Sequence, residues 1–349
     1  MSSEDRSRSL VRSAVRVATC LLRTIGSSQT FDASRSKTVT ARIGQLPSAS
    51  TMWTFQAIVI EAVPRMPILG RQRRNTMAQA AQAKTDYFVE DFSRKIEGQP
   101  KLDKIPVFET LEEERLHRKQ RLAATFRIFC RYGFNEGVAG HVTVRDPIDT
   151  DTFWVNPFGM SYTRIKVSDL IRVDSKGRVV DGKRPVNTAA FAIHSSIHEL
   201  RPETNASAHA HTVYGKAFCS FGKLLAPITQ DACYFYEDHA LFDCYEGISD
   251  VKDEGLAIAN ALGRKKAAIL RNHGLITVGE TIDECAYWMI AFDNACRVQM
   301  LAESSGKPML IEPNAARDVA KQLGTPYYGW ASFQALHEMI LAEEPDFLD

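Results

Sequence analysis

Two histidines, His209 and His211, lie two residues apart in the segment NASAHAH, whose other residues are small, apolar or weakly polar. Short apolar segments of this kind indicate a β-strand, in which side chains at positions i and i+2 point to the same face. The two imidazoles should therefore project together, and two such imidazoles can bind one metal ion. An H-x-H pair alone is a weak signal, because hydrogen bonds often account for such histidines.

A third histidine strengthens the case for a metal. His273 lies in the segment ILRNHGLITVG, directly after an apolar strand and between Asn272 and Gly274. A histidine there can also serve only as a turn residue that bonds the backbone. Three histidines from two strands suit a divalent ion with an open coordination position, zinc first, with iron or manganese as alternatives.

The surrounding pattern predicts a compact α/β domain that would hold these segments. A capping box at Thr110-x-x-Glu113 predicts a helix that ends near Gly133, and Thr281-x-x-Glu284 predicts a second long helix. Alternating apolar residues around a glycine turn in DLIRVDSKGRVV predict a hairpin. We expect a linker at 77–108, the domain at 109–310, and a partly helical C-terminal tail at 311–349.

The composition is that of a soluble globular protein. The 349 residues are 44% hydrophobic and 24% charged, with a net charge of +1, and no apolar run is long enough to span a membrane. Seven cysteines without a C-x-x-C pair favour reduced thiols inside a cell. A cytoplasmic location is therefore expected.

Residues 1–76 differ from the rest of the chain, with 12 Lys and Arg against 4 Asp and Glu and many serines. Three interpretations stay open: a mitochondrial targeting segment, a disordered tail, or sequence upstream of a true start at Met77. The segment lacks the interleaved aromatic residues of a nucleic-acid-binding module, so we expect no nucleic-acid partner. We also expect it to be dispensable for folding.

Four longer segments surround the histidines and resemble the class II aldolase/adducin family, in particular its adducin-like branch. They are EGVAGHVTVRDP (136–147), NPFGMSYTRI (156–165), HSSIHELRPETNASAHAHTVYGKA (194–217) and RNHGLITVG (271–279). The resemblance implies a three-layer α/β/α domain with a mainly antiparallel central sheet. It also implies a homo-oligomer, commonly a tetramer, with a metal bound by the histidines at 209, 211 and 273 that polarises a substrate carbonyl.

The chain departs from the sugar-phosphate aldolases of that family at the position of their glutamate, a metal ligand and proton-transfer group. That position is Ala190 here, and the positions that often hold the substrate phosphate are Thr188 and Ala189. The glycine-rich phosphate loop reads Val138-Ala139-Gly140-His141. We therefore expect a small carbonyl or hydroxy-acid substrate without a phosphate.

The segment YFYEDHALFDCYEG is where we expect a replacement acid or base, with Glu237 and His239 on one side of an extended chain. A solvated loop is the alternative. The residues expected to line the substrate pocket are His141, Asn156, Gly159 and Asn187. His194 and His198 lie four residues apart on a predicted helix. His194 matches a histidine that lies near the site in the aldolases the chain resembles, but we expect it to serve in packing.

These observations predict a metal-dependent aldolase or lyase. Two alternatives remain: a non-catalytic adducin-like interaction protein, and an iron-dependent decarboxylating oxygenase, although the pattern of two histidines and one carboxylate is not evident. The chain ends in the acidic segment EEPDFLD rather than a lysine-rich tail, so we do not expect it to bind actin.

Overall fold

A computed structural model describes residues 103–245 and 251–349 of the chain. The basic segment 1–76 and most of the linker expected at 77–108 lie outside the described residues. The side chains of residues 189, 190, 251 and 252 are not described either.

Eight strands form one sheet in the described part of the chain. They are β1 (Gly140–Arg145), β2 (Thr152–Val155), β3 (Ile171–Asp174), β4 (Val179–Asp181), β5 (Ala206–Ala210), β6 (His239–Phe242), β7 (Ala267–Leu270) and β8 (Gly274–Gly279). Their order is β4-β3-β2-β1-β5-β8-β7-β6. Only the β6–β7 pair is parallel, which confirms a mainly antiparallel sheet. The predicted hairpin is β3 and β4.

Helices cover both faces of this sheet. They are α1 (Leu111–Arg131), α2 (Thr188–Leu200), α3 (Val213–Cys219), α4 (Val251–Leu262), α5 (Ile282–Ser305), α6 (Pro313–Leu323) and α7 (Pro326–Glu343). Helices α1, α5 and α7 share one apolar core with strand residues such as Val142 and Ala208. Helices α2 and α4 pack on the other face against residues such as Ile276 and Val278. The expected three-layer α/β/α arrangement is confirmed.

The capping box predicted for α1 is present. Glu113 N donates to Thr110 Oγ1 at 3.1 Å, and the Glu113 carboxylate accepts from Thr110 N at 3.3 Å. At α5, Thr281 caps Glu284 N in the same way, but the Glu284 carboxylate accepts from Glu280 N at 2.7 Å instead of from Thr281. Local sequence thus sets where both long helices begin.

The C-terminal segment 311–349 belongs to the same core as the rest of the domain. We expected a partly helical tail there, but α6 and α7 fill most of it, and Phe333, Ile340 and Phe347 are fully buried. Gln334 on α7 also joins the buried ion pair between Arg121 and Asp283. The domain therefore extends beyond residue 310, because the apolar faces of α1 and α5 need α7 to cover them.

Two findings bear on the composition. The described helices include none with the length and apolar character that a bilayer crossing requires. The six cysteines in the described ranges are all free thiols.

Candidate metal centre

The structure brings His209, His211 and His273 together, with one ligand atom from each within 4.8 Å of the others. His209 lies in β5, His211 follows the end of that strand, and His273 lies in the turn between β7 and β8. Because β5 pairs with β8, the turn places His273 beside His209 and His211. Ring centroids are 4.9 Å apart for His209–His211, 4.8 Å for His209–His273 and 4.9 Å for His211–His273.

The turn that carries His273 has a constrained backbone. Asn272 adopts a left-handed conformation, with φ of 57°, and His273 N donates to Leu270 O at 3.0 Å. A Cβ on Gly274 would lie 2.8 Å from Ala210 O and 3.1 Å from Cε1 of His209. A residue larger than glycine at 274 would therefore push against the imidazole cluster.

One ring nitrogen of His209 is assigned by its partner. Nδ1 lies 2.9 Å from the backbone oxygen of Leu275, and a carbonyl oxygen can only accept. Nδ1 therefore carries the proton, and the lone pair is on Nε2. A hydrogen bond of this kind orients a histidine that binds metal through its other nitrogen.

Burial keeps the three imidazoles neutral. It holds the pKa of His209 well below its usual value and lowers that of His273 to about 4. The pKa of His211 is also lowered, first by burial and then by the nearby Lys216 ammonium. Neutral imidazoles are metal ligands without further proton release. The donor set fits zinc, iron(II) or manganese(II), and no described carboxylate belongs to the cluster.

Of the residues expected to line the pocket, His141 lies against the cluster. It is 4% exposed, and its ring centroid is 4.9 Å from that of His209. Asn156 directly follows β2, and its Oδ1 atom is buried without a hydrogen-bond partner. Asn187 donates from Nδ2 to Val138 O at 3.3 Å and so ties the start of α2 to the glycine-rich loop. Gly159 lies in an exposed turn with φ of 75°.

The structure does not bring Glu237 or His239 to the cluster. Glu237 is exposed, pairs with Arg317 at 2.9 Å and has a left-handed backbone. His239 begins β6, three strand spacings or roughly 14 Å from β5. Its Nδ1 donates to Phe235 O and its Nε2 accepts from Leu225 N at 2.9 Å. Both ring nitrogens of His239 are therefore occupied by backbone groups.

Three other groups near the cluster were not singled out from the sequence. Lys216 on α3 forms an ion pair with Glu136 beside His211, and both charges act on the pKa of that histidine. Tyr245 is half-exposed, with its ring centroid 6.5 Å from that of His273. Lys216 lies five residues after His211, on the helix that directly follows strand β5. This short connection between strand and helix is the sequence signal that could have placed Lys216 near the site.

The match to a known family follows the same segments. Residues 120–300 match the profile described as Class II Aldolase and Adducin N-terminal domain. The fold, the histidine cluster and this match define a class II aldolase-type domain. The chain belongs to the class II aldolase and adducin family.

Two relatives and one solved structure are similar over most of their length. Decarboxylase NovR of Streptomyces niveus is 49% identical over 243 residues, which is 69% of this chain and 90% of the relative. The 4-hydroxy-3-prenylphenylpyruvate oxygenase/4-hydroxy-3-prenylbenzoate synthase of Streptomyces roseochromogenus subsp. oscitans is also 49% identical over 243 residues, 69% of this chain and 88% of the relative. The structure of L-fuculose 1-phosphate aldolase from Glaciozyma antarctica PI12 has 45% identity and a TM-score of 0.65, and the match covers 70% of this chain and 96% of that chain.

Proposed function

We propose that this protein is a metal-dependent enzyme that decarboxylates an aryl α-keto or α-hydroxy acid with dioxygen as co-substrate. The observation that carries the proposal is the cluster of His209, His211 and His273, in which no described carboxylate takes part. The names of the two Streptomyces relatives, a decarboxylase and an oxygenase of an arylpyruvate, support the same reaction class. The sequence alone leaves this activity as an alternative to a lyase.

The three neutral imidazoles would hold the ion and leave its full positive charge available to the substrate. A divalent ion bound there would supply attraction for anionic oxygens and, as iron(II), electrons for oxygen chemistry. A carboxylate next to a keto or hydroxy group offers two such oxygens. An anionic α-keto or α-hydroxy acid therefore suits this donor set better than a neutral aldehyde does.

Charged and aromatic groups beside the cluster support an aryl acid as the substrate. The Lys216 side chain is 36% exposed, and its ammonium pairs with Glu136 beside His211, where it can also attract a carboxylate. Tyr245 is 50% exposed, and its ring lies next to His273 and offers a face for an aryl group. We assign Lys216 to carboxylate binding and Tyr245 to contact with the aryl group.

The proposed reaction balances without a further reductant. One arylpyruvate and one dioxygen give one aryl hydroxy acid, one carbon shorter, and one carbon dioxide. One aryl hydroxy acid and a second dioxygen give one aryl carboxylate, one carbon dioxide and one water. In both steps the substrate supplies all the electrons that reduce dioxygen.

A second candidate is the metal-dependent lyase that the sequence first suggested. The similarity to a solved structure named L-fuculose 1-phosphate aldolase favours it. Two features weigh against it: Ala190 stands where the resemblance places the aldolase glutamate, and the phosphate loop reads Val138-Ala139-Gly140-His141. We therefore rank the lyase below the decarboxylating oxygenase, and the adducin-like binding role below both.

The test loads purified protein with iron(II), zinc or manganese(II) and supplies 4-hydroxyphenylpyruvate or 4-hydroxymandelate. We expect carbon dioxide release and oxygen consumption with iron(II), in equal amounts, and neither without oxygen. Cleavage that continues without oxygen would support the lyase instead. Metal binding without turnover of any acid or sugar would leave the adducin-like role as the better interpretation.

The remaining properties are proposals of the same kind. We propose iron(II) in place of the zinc first expected, a homo-tetramer and a cytoplasmic location. Metal analysis of protein purified without added metal tests the first. Light scattering at micromolar concentration tests the second, and a monomer that binds metal fully would contradict it. Fractionation of cells tests the third.

A further inference from the structure

A path of buried polar side chains leads away from the metal centre. His141 Nδ1 lies 2.6 Å from His194 Nε2, and His194 Nδ1 lies 3.1 Å from Thr143 Oγ1. Thr143 Oγ1 lies 2.9 Å from His198 Nε2, and His198 Nδ1 lies 3.3 Å from Arg145 Nη2. One unbroken series of hydrogen bonds thus joins a residue beside the cluster to an arginine at the far end of β1.

The alternation of a strand and the period of a helix produce this path. His141, Thr143 and Arg145 occupy alternate positions of β1 and share one face. His194 and His198 lie four residues apart on α2 and share one face of that helix. All three histidines on the path are at most 5% exposed, and Thr143 is fully buried. Buried polar groups that lack water must satisfy one another, so each proton on the path has a definite place.

The donor and acceptor in each hydrogen bond of the path are assigned from Arg145 onward, because a guanidinium can only donate. Burial and the Arg145 charge hold the pKa of His198 well below its usual value, so its ring is neutral with a single proton. A proton on Nδ1 would face the cationic Nη2, so Nδ1 accepts and Nε2 carries the proton. Arg145 Nη2 also donates to His198 O at 2.7 Å and to Thr204 O at 3.3 Å, and the Thr204 carbonyl lies within hydrogen-bonding reach of the His198 ring as well. The 3.3 Å approach of Nη2 to Nδ1 is therefore what disfavours a proton on Nδ1.

The next two links follow from the first. His198 Nε2 donates to Thr143 Oγ1, so the hydroxyl proton of Thr143 must point elsewhere. It has two acceptors, His194 Nδ1 at 3.1 Å and Ser207 O at 3.4 Å, and the shorter contact is to His194. His194 Nδ1 then accepts, and its single proton lies on Nε2.

His194 Nε2 therefore donates to Nδ1 of His141, which leaves the proton of His141 on its own Nε2. The ring of His141 lies 4.9 Å from that of His209, at the edge of the imidazole cluster. A ring nitrogen that carries a proton has no lone pair for a metal. The converging ligand atoms are those of His209, His211 and His273, and on this path the proton on Nε2 keeps the adjacent His141 from acting as a further ligand.

We propose that Arg145, His198, Thr143 and His194 act as positioning residues that fix His141 in the Nε2–H form, as a hydrogen-bond donor to an oxygen of the substrate at the metal centre. The donor role rests on the proposed function, whereas the proton position on His141 does not. Removal of the Thr143 hydroxyl breaks the path and allows the reverse arrangement, in which His141 presents a lone pair to the metal. The open position of the site would then be lost.

The first experiment measures the proton positions in metal-free, full-length protein labelled with ¹⁵N in histidine. Two-bond ¹⁵N–¹H correlation spectra distinguish the two neutral tautomers of His141, with the His141→Gln variant used for assignment. We expect a roughly tenfold excess of the Nε2–H form, about the bias that one buried hydrogen bond supplies. A dominant Nδ1–H form in the unmodified protein overturns the inference, whatever the reaction is.

The second experiment compares three threonine variants by the same spectra and by the optical spectrum of bound cobalt(II). Thr143→Val should give a mixture of His141 tautomers and a changed cobalt coordination, and Thr143→Ser should restore both. Thr277→Val is the matched control, since Thr277 is an equally buried sheet residue that donates to Cys285 O at 2.9 Å. Equal effects at 143 and 277 on His141 would overturn the inference. If cobalt(II) binds to none of the proteins, the proposed metal site is wrong. The tautomer of His141 tests the hydrogen-bond path separately.

Discussion

His209 donates its Nδ1 proton to the backbone oxygen of Leu275 at 2.9 Å, across the ladder between β5 and β8. This bond leaves Nε2 to complete the cluster with His211 and His273. We predict that His209→Ala weakens zinc or iron(II) binding by more than roughly 100-fold, because even a residue that only orients a ligand is worth about 10–100-fold. Competition with a chelating dye measures the affinity. His117→Ala, on α1, is the control, and an unchanged affinity in His209→Ala would refute the site.

Lys216 should affect substrate binding more than turnover. The Lys216→Met variant keeps most of the side-chain volume but removes the charge beside His211, so an aryl keto acid should show a KM raised by about tenfold, for a loss near 1.4 kcal/mol. The matched control is Lys223→Met, because Lys223 is a similarly exposed lysine paired with Glu303. Steady-state kinetics of both variants make the comparison. A fall in kcat with an unchanged KM would contradict the assigned role.

Glu237→Gln should leave metal affinity and turnover within about twofold of the unmodified protein. The Glu237 carboxylate is exposed and pairs with Arg317, and the adjoining strand β6 is the edge of the sheet opposite β4. An exposed ion pair of this kind contributes little to stability. Metal titration and oxygen uptake on the variant test this expectation. A large loss of turnover with intact metal binding would instead show that Glu237 takes part in the reaction.

The grouping of His209, His211 and His273 could be predicted because strand alternation fixes which side chains share a face. His209 and His211 follow that rule directly, and the position of His273 beside a glycine at a strand end marks it as a turn residue. The role of Glu237 could not be predicted in the same way. Its left-handed backbone, with φ of 58°, breaks the extended geometry that the alternation argument assumed.

The histidines on α2 show the other limit of sequence reasoning. The four-residue spacing of His194 and His198 predicts that they share a helix face, but the period does not say which strand that face will meet. The fold sets Thr143 of β1 between them. The same limit applies to α7, since the apolar pattern of 326–343 does not reveal that Phe333 packs into a core formed by α1 and α5.

The Phe333 side chain should contribute as much to the free energy of unfolding as a side chain at the centre of the domain. Its side chain is fully buried between helices, so Phe333→Ala should lower the free energy of unfolding by about 3–5 kcal/mol. Leu341→Ala lies on the same helix, where the leucine is 40% exposed, and should cost under about 1 kcal/mol. Urea unfolding followed by circular dichroism compares them. Small, equal losses would mean that α7 is only loosely attached.

Glu284 should make the protein less stable as the pH rises from 4.5 to about 7. Burial is the main reason that its pKa in the folded chain is raised from 4.5 to about 7. The folded state therefore holds the proton more tightly than the unfolded state does. The stability that this proton provides is fully present below pH 4.5 and is lost as the pH rises to about 7. Between these two pH values Glu284 lowers the free energy of unfolding by about 3 kcal/mol, since a shift of one pKa unit corresponds to about 1.36 kcal/mol.

The Glu284→Gln variant removes this titration. The carboxylate of Glu284 accepts hydrogen bonds from Glu280 N at 2.7 Å and from Trp288 Nε1 at 3.1 Å, one on each oxygen. The amide of the variant has only one oxygen and cannot accept both bonds in this way, so the variant loses a constant amount of stability at every pH. The difference in unfolding free energy between variant and unmodified protein should therefore shift in favour of the variant as the pH rises from 4.5 to about 7. Glu338→Gln, at an exposed site on α7, should show no such shift. Urea unfolding at several pH values gives the two differences, and parallel curves for Glu284→Gln and unmodified protein would show that the buried carboxyl keeps an ordinary pKa.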